Sequence, residues 1–180
     1  FYRLRAIFEP AVDFKSHTFD EQAKNARASH LEIRGDFRRV GTKVNAAFPR
    51  VANASNVAIA APPSGSKSTR RRLQFAQWLV RPDHPLTSRV IANRVWQWHF
   101  GRGLSDTPSD LGTMGDEPYH AELLDWLATE LMQNCWSLKH LHRLIVTSAT
   151  YRQRSFPASA NDPRWLAAKE RDRKNLYWSR

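Results

Sequence analysis

Apolar residues recur at helical spacing through the second half of the chain. RRLQFAQWLV sets Leu73, Ala76 and Leu79 or Val80 on one face and stops before Pro82, which excludes a continuing helix. RVIANRVWQWHFGRG (residues 89–103) places Ile91, Val95 and Trp98 at i, i+4 and i+7 behind an N-cap at Thr87 or Ser88, and Gly101 ends the helix. On this reading Asn93, Trp96 and Gln97 face away from the core. A third helix runs from about Tyr119 to Asn134, with Pro118 near its first position, Glu122 in its first turns, and Leu124, Leu127 or Ala128, and Leu131 inward. A fourth starts behind Ser137 and carries Leu138, Leu141, Leu144 or Ile145, and Ser148 on one side.

The first third reads differently. Tyr2, Leu4, Ile7 and Phe8 have helix-like gaps before Pro10, as in the last turns of a helix whose start is missing. AVDFKSHTFDEQAKNARASH is polar and weakly patterned. HLEIRGDFRRVG alternates Leu31 and Ile33 with Glu32 and Arg34 before Gly35 and Gly41, which predicts a short strand and a turn. VNAAFPRVANASNVAIAAPPSGSKSTR, with Pro49, Pro62, Pro63 and Gly65, has the composition of an extended, exposed linker. The pattern therefore predicts a mainly α protein: a tail of a preceding domain over 1–28, a strand, turn and linker over 29–67, and a small helical domain over 68–180 that is cut short at its C-terminus.

The 180 residues carry 28 Lys and Arg against 17 Asp and Glu, a formal charge of +11. Such a field attracts nucleic acid, anionic polysaccharide or acidic membrane without choosing among them. Arg70–Arg72 and the Lys169–Lys174 cluster fit a solvated helix end and face. No helix-turn-helix, zinc-finger or RNP-type pattern accompanies them, which argues against nucleic acid. No apolar run approaches the ~20 residues that cross a bilayer. The single cysteine, Cys135, excludes an intrachain disulfide, a Cys-rich zinc site and a C-x-x-C-H haem attachment within these residues, so no cofactor is expected here.

GRGLSDTPSDLGTMGDEPYH, residues 101–120, is long for a connection between helices and is the segment in which a site is expected. Asp106, Asp110, Asp116 and Glu117 supply oxygens of the kind hard cations take, but their spacing matches no EF-hand, and Asx turns and helix caps use the same residues. His140 and His142 are two apart on a helix and point to different faces, and His120-Ala121-Glu122 lacks the P-C-x-x-C that would complete a zinc deaminase. No metal set is assigned. Cys135 falls where helix three would be capped, which favours a structural role over a nucleophile served by His140 or His142. Arg34-Gly35-Asp36 makes an ordinary turn. The candidate polar site therefore comprises His99, Arg102, Asp106, Asp110, Asp116 and His120, with Trp96 and Trp98 as candidate aromatic contacts.

The run LQFAQWLVRPDHPLTSRVIANRVWQWHFGRG through SATYRQRS, residues 73–155, closely resembles the PSD domain of planctomycete proteins, a domain of unknown function numbered 1553. HLEIRGDFRRVGTKV is similar to the segment that introduces this domain, and FYRLRAIFEP to the tail of the domain before it. The resemblance implies an accessory or interaction module of a large exported protein, on the cell surface or in the periplasm. Its partners would be neighbouring domains and polysaccharide, and haem would reside in a cytochrome c-like domain elsewhere. The alternative it leaves open is a hydrolase or carbohydrate-binding domain using the 101–120 loop. It carries no catalytic roles. Two positions depart from the family pattern: Cys135 stands where Gly is usual in N-G-W-S-L-K, and Trp98 where His is common in W-Q-H-H-F.

Overall fold

The computed structural model describes residues 1–11, 28–52, 55–112, 114–154, 157, 159 and 161–176. The polar stretch over 12–27 and residues 177–180 lie outside these. The protein is mainly α, as the periodicity predicts, with six helices and one two-stranded hairpin among the described residues. Two compact units divide it, Phe1–Pro85 and Leu86–Arg180.

In the first unit, helix α1 (Tyr2–Phe8) buries Ala6 and Ile7 and tightens into a 3-10 turn where Pro10 follows. The strand read at His30 finds its partner downstream: β1 (His30–Glu32) pairs antiparallel with β2 (Val40–Lys43). Between them Arg34 and Gly35 take φ of 55° and 76°, the left-handed backbone that closes the turn. Helix α1 fastens this hairpin, since Arg5 donates to Glu32 Oε1 at 2.6 Å and the Tyr2 hydroxyl donates to the Glu32 carbonyl at 3.2 Å.

Helix α2 (Arg71–Leu79) lies in the same unit, and its buried face is not the aliphatic one. Leu73 is 46% exposed, whereas Trp78 is buried and stacks on Phe48 with centroids 4.9 Å apart. Phe75 lies against both rings and meets Phe8 edge-on. Aromatic rings bury more area than leucines and dictate which side turns inward. The stretch expected to be a free linker is anchored in two places: Phe48 is in this cluster, and Gln74 clamps Ala60, its amide donating to the Ala60 carbonyl and its oxygen accepting from the Ala60 N–H.

The second unit is built on α3 (Thr87–Phe100), α4 (Ala121–Gln133), α5 (Leu138–Thr147) and α6 (Pro163–Arg171). Its core comprises Ala92, Val95, Trp96, Leu104, Leu124, Leu127, Ala128, Leu131, Leu141 and Ile145. Helix α4 behaves as its period predicts. On α3 the expected face is displaced. Ser88, Ala92, Asn93, Val95 and Trp96 point inward, while Trp98 is 68% exposed. Val95 serves both patterns, and turning Trp96 inward leaves Trp98, two residues on, facing out. Thr87 is the first helical residue, behind Leu86, with no side-chain cap. Leu138 at the start of α5 is likewise exposed, although Ser137 caps that helix as its sequence implies, accepting from the His140 N–H. Helix α6 is not among the predicted helices; it starts at Asp162-Pro163, where the Asp162 carboxylate accepts from the Arg164 N–H at 2.9 Å and Pro163 takes the first helical position.

Helix α4 ends in a Schellman turn, with the Trp136 N–H donating to the Leu131 carbonyl at 2.8 Å. Cys135 occupies the left-handed position of that turn at φ 53°, and its side chain is exposed rather than packed. A glycine there escapes the side-chain strain, which costs a non-glycine residue about 1–2 kcal/mol, and loses part of that gain to greater freedom in the unfolded chain. Cys135→Gly is therefore expected to stabilise the protein by up to about 1 kcal/mol. Urea unfolding at unchanged slope should show a higher midpoint, and an equal or lower one would refute the strain.

Candidate functional site

The 101–120 loop begins where α3 stops. Gly101, at φ 75°, donates its N–H to the Gln97 carbonyl at 2.7 Å and turns the chain back along the helix. Asn93, wholly buried on α3, then receives it. Its amide donates to the Ser105 carbonyl at 3.1 Å, and its oxygen accepts from the Ser105 N–H at 3.0 Å. One side chain thus satisfies both backbone groups of a buried residue, as a neighbouring strand would. Leu104 sits in the core beside this pair, and a Cβ on Gly103 would come within 2.7 Å of the Asn93 oxygen, so the approach requires glycine. The far end is stitched to the near one by the Tyr119 N–H donating to the Leu104 carbonyl at 2.9 Å.

Arg102 and Asp106 face each other across the first turn of the loop. The guanidinium donates through Nε and Nη2 to the two carboxylate oxygens, both at 2.6 Å, and lies over the Tyr119 ring at 4.7 Å. The Tyr119 hydroxyl donates to Asp106 Oδ2 at 2.8 Å, and Arg102 Nη1 donates to the Lys174 carbonyl at 3.3 Å. The Arg102 guanidinium holds the Asp106 carboxyl below the usual carboxylate range, and the Asp106 carboxylate raises Tyr119. Asp110 makes the Asx turn its type favours, accepting from the Gly112 N–H at 3.0 Å. Thr107 ties the middle together, its hydroxyl donating to the Asp110 carbonyl and accepting from the Asp116 N–H, both at 2.9 Å. The hydroxyl of Ser105 donates to the Asp116 carbonyl at 3.2 Å.

The expected site residues are therefore divided. Arg102 and Asp106 are joined. Asp110 and Asp116 enter hydrogen bonds of the loop's own framework, the latter through its backbone. His120 occupies the N-cap position of α4, where its carbonyl accepts from the Leu124 N–H at 3.0 Å. His99 bonds none of these carboxylates: its Nε2 lies 2.7 Å from Nδ1 of His142 on α5, and Tyr151 meets its ring edge-on at 5.6 Å. Burial, and next the neighbouring His142, hold His99 below the ordinary imidazole range. His140 turns the other way, as two-residue spacing on a helix requires, and pairs with Glu130 at 3.2 Å. Of the two candidate aromatic contacts, Trp96 is a core residue stacked on Phe100 at 4.2 Å, and Trp98 alone faces solvent. Among the described residues no three His, Cys, Asp or Glu side chains converge as a metal-binding set. A cleft of about 580 Å3 in the first unit, lined by Tyr2, Leu4, Leu31, Phe48 and others, involves none of the expected site residues.

Residues 71–180 match PSD1, described as a protein of unknown function (DUF1553). The chain belongs to the PSD1 family. The matched part starts at the first residue of α2 and takes in the whole of α3 to α6 with the stitched loop, so the features above are those of the PSD1 segment. No curated protein and no solved structure matches the chain. No helix of the described PSD1 chain is long and apolar enough to cross a membrane.

Asn93, Tyr119, His142 and Tyr151 hold this region and were not among the residues expected to. A polar residue on an otherwise apolar face, as Asn93 is beside Ala92, Val95 and Trp96, is the signal that would have found the first. The geometry ranks the contributions. Asn93→Ala leaves the buried Ser105 N–H and carbonyl unmatched and should cost about 2–6 kcal/mol, two unsatisfied groups at ~1–3 each. Asp106→Ala breaks a pair that is about one-third exposed and should cost roughly 0–1 kcal/mol. Chemical denaturation of both variants compares them, and a costlier Asp106→Ala would invert the assignment.

Proposed function

We propose that the PSD1 segment is an interaction module, accessory to a larger exported polypeptide, which docks on a neighbouring domain through the outward face of α3. One observation carries this reading: Trp98, a large apolar ring, is 68% exposed on a helix that already buries Trp96 in its own core. Helical spacing places the exposed Arg94 one turn before Trp98 on the same outward face, at i and i+4. Tryptophan and arginine are the residues that most often dominate binding energy at protein interfaces. The alternative, a polar hydrolytic or glycan-binding site in the 101–120 loop, has less support. Asp106 is taken by Arg102, Asp110 by a turn, and His99 by His142.

The two tryptophans should separate stability from docking. Trp96→Ala empties part of the core and is expected to cost about 3–5 kcal/mol, whereas Trp98→Ala should change stability by no more than about 0.5 kcal/mol. Oxidative footprinting read by mass spectrometry tests the docking itself. Trp98 should oxidise readily in the 180-residue chain and be protected in the full-length polypeptide, with Trp98→Ala freeing neighbouring residues of the interface. Equal oxidation in both would end this reading.

A further inference from the structure

Helices α3 and α5 are joined near the exposed end of α3 by a contact of an unusual kind, two imidazoles bonded directly to each other at 2.7 Å. A neutral ring has one N–H and one lone pair, so two neutral rings satisfy this bond, and so do two rings with a single added proton. With a proton on each ring both facing nitrogens are donors, and two like charges meet with no acceptor between them. We propose that His99 and His142 form an acid-sensitive latch between the C-terminal end of α3 and α5, closed when the rings hold at most one extra proton and released when both are protonated.

Among the described residues no anion bonds the pair to offset that charge. From the turn after α5, Tyr151 meets His99 with its ring edge and meets Phe100 in the same way at 5.7 Å. On α5 itself Lys139 and Arg143 are exposed cations, and His140 is engaged by Glu130 of α4. Three residues beyond His99, Arg102 is another cation, and its carboxylate partner Asp106 is bonded by Arg102 and Tyr119. No carboxylate among the described residues bonds either ring, and burial adds to the disadvantage of the charged form at His99.

The sign follows from proton counting. A histidine held below its ordinary range binds protons more weakly folded than unfolded, so its contribution is whole above about pH 6.5, the unperturbed imidazole value, and is lost as pH falls through the lowered folded value. Each extra proton bound by the opened state favours opening by up to about tenfold per pH unit in that window. The latch depends only on the pair's geometry and holds whether or not Trp98 docks.

Amide hydrogen exchange on the whole chain at pH 7.5, 6.5, 5.5 and 5.0, corrected for intrinsic rates, reads the latch locally. Opening at residues 97–101 and 141–151 should rise steeply below pH 6.5 in the native chain. In His142→Gln, which keeps a hydrogen-bonding side chain and cannot charge, the rise should be shallower by about tenfold per pH unit. Equal acid acceleration in both chains overturns the proposal. NMR titration of the ring protons in the unsubstituted chain supplies a second reading that needs no variant. A two-step titration shared by both histidines supports the latch, and two independent ordinary curves refute it.

Discussion

The second unit depends on one side chain meeting one backbone residue. Asn93 lies on the core face of α3, where a polar group costs several kcal/mol unless its hydrogen bonds are made, and Ser105 is buried opposite it with the same liability. Each cancels the other's cost. The reciprocal bond brings Leu104 into the core, forbids a side chain on Gly103, and sets where Arg102 and Asp106 emerge. From there Tyr119 returns the chain to α4. A connection twenty residues long is thereby ordered without an element of its own, which is why it needs explanation neither as disorder nor as an active-site lid.

This arrangement bears on what the loop's carboxylates are for. Hydrolytic chemistry asks for groups aimed at an open space and for titration values displaced in opposite senses. Asp106 is instead displaced downward by an arginine that encloses it on two sides, a stable ion pair with its oxygens already occupied. Ion pairs with this exposure contribute little energy, but a two-point guanidinium contact stacked on a tyrosine fixes direction. The pair positions the loop's first turn against Tyr119 and against the carbonyl of Lys174 beyond α6.

How far the sequence reveals such a structure depends on which force decides each feature. Helix α4 was legible because Leu124, Leu127, Ala128 and Leu131 fall on one stripe that is buried, with Trp126 off it and half-exposed, so periodicity and packing agree. The ends of helices were legible wherever a local hydrogen bond sets them, as at Ser137 and Gly101. The inward faces of α2 and α3 were not, since both helices carry large residues on more than one side and the choice is made by partners far off in sequence, Phe48 for Trp78 and the α4 leucines for Trp96. For the same reason the candidate site was only partly legible. Arg102 and Asp106 lie four residues apart and find each other locally. The partner of His99 is 43 residues downstream, and no spacing rule points to it.

The turn after α4 has one more consequence. While Trp136 of this turn packs against the core, the side chain at position 135 is left facing water, and there the chain carries its single thiol. Any disulfide formed from that sulfur must join a cysteine outside these 180 residues. A fixed, solvent-facing sulfur at a helix end offers one defined point of covalent attachment, where a reporter group or cross-linker can be placed without entering the core.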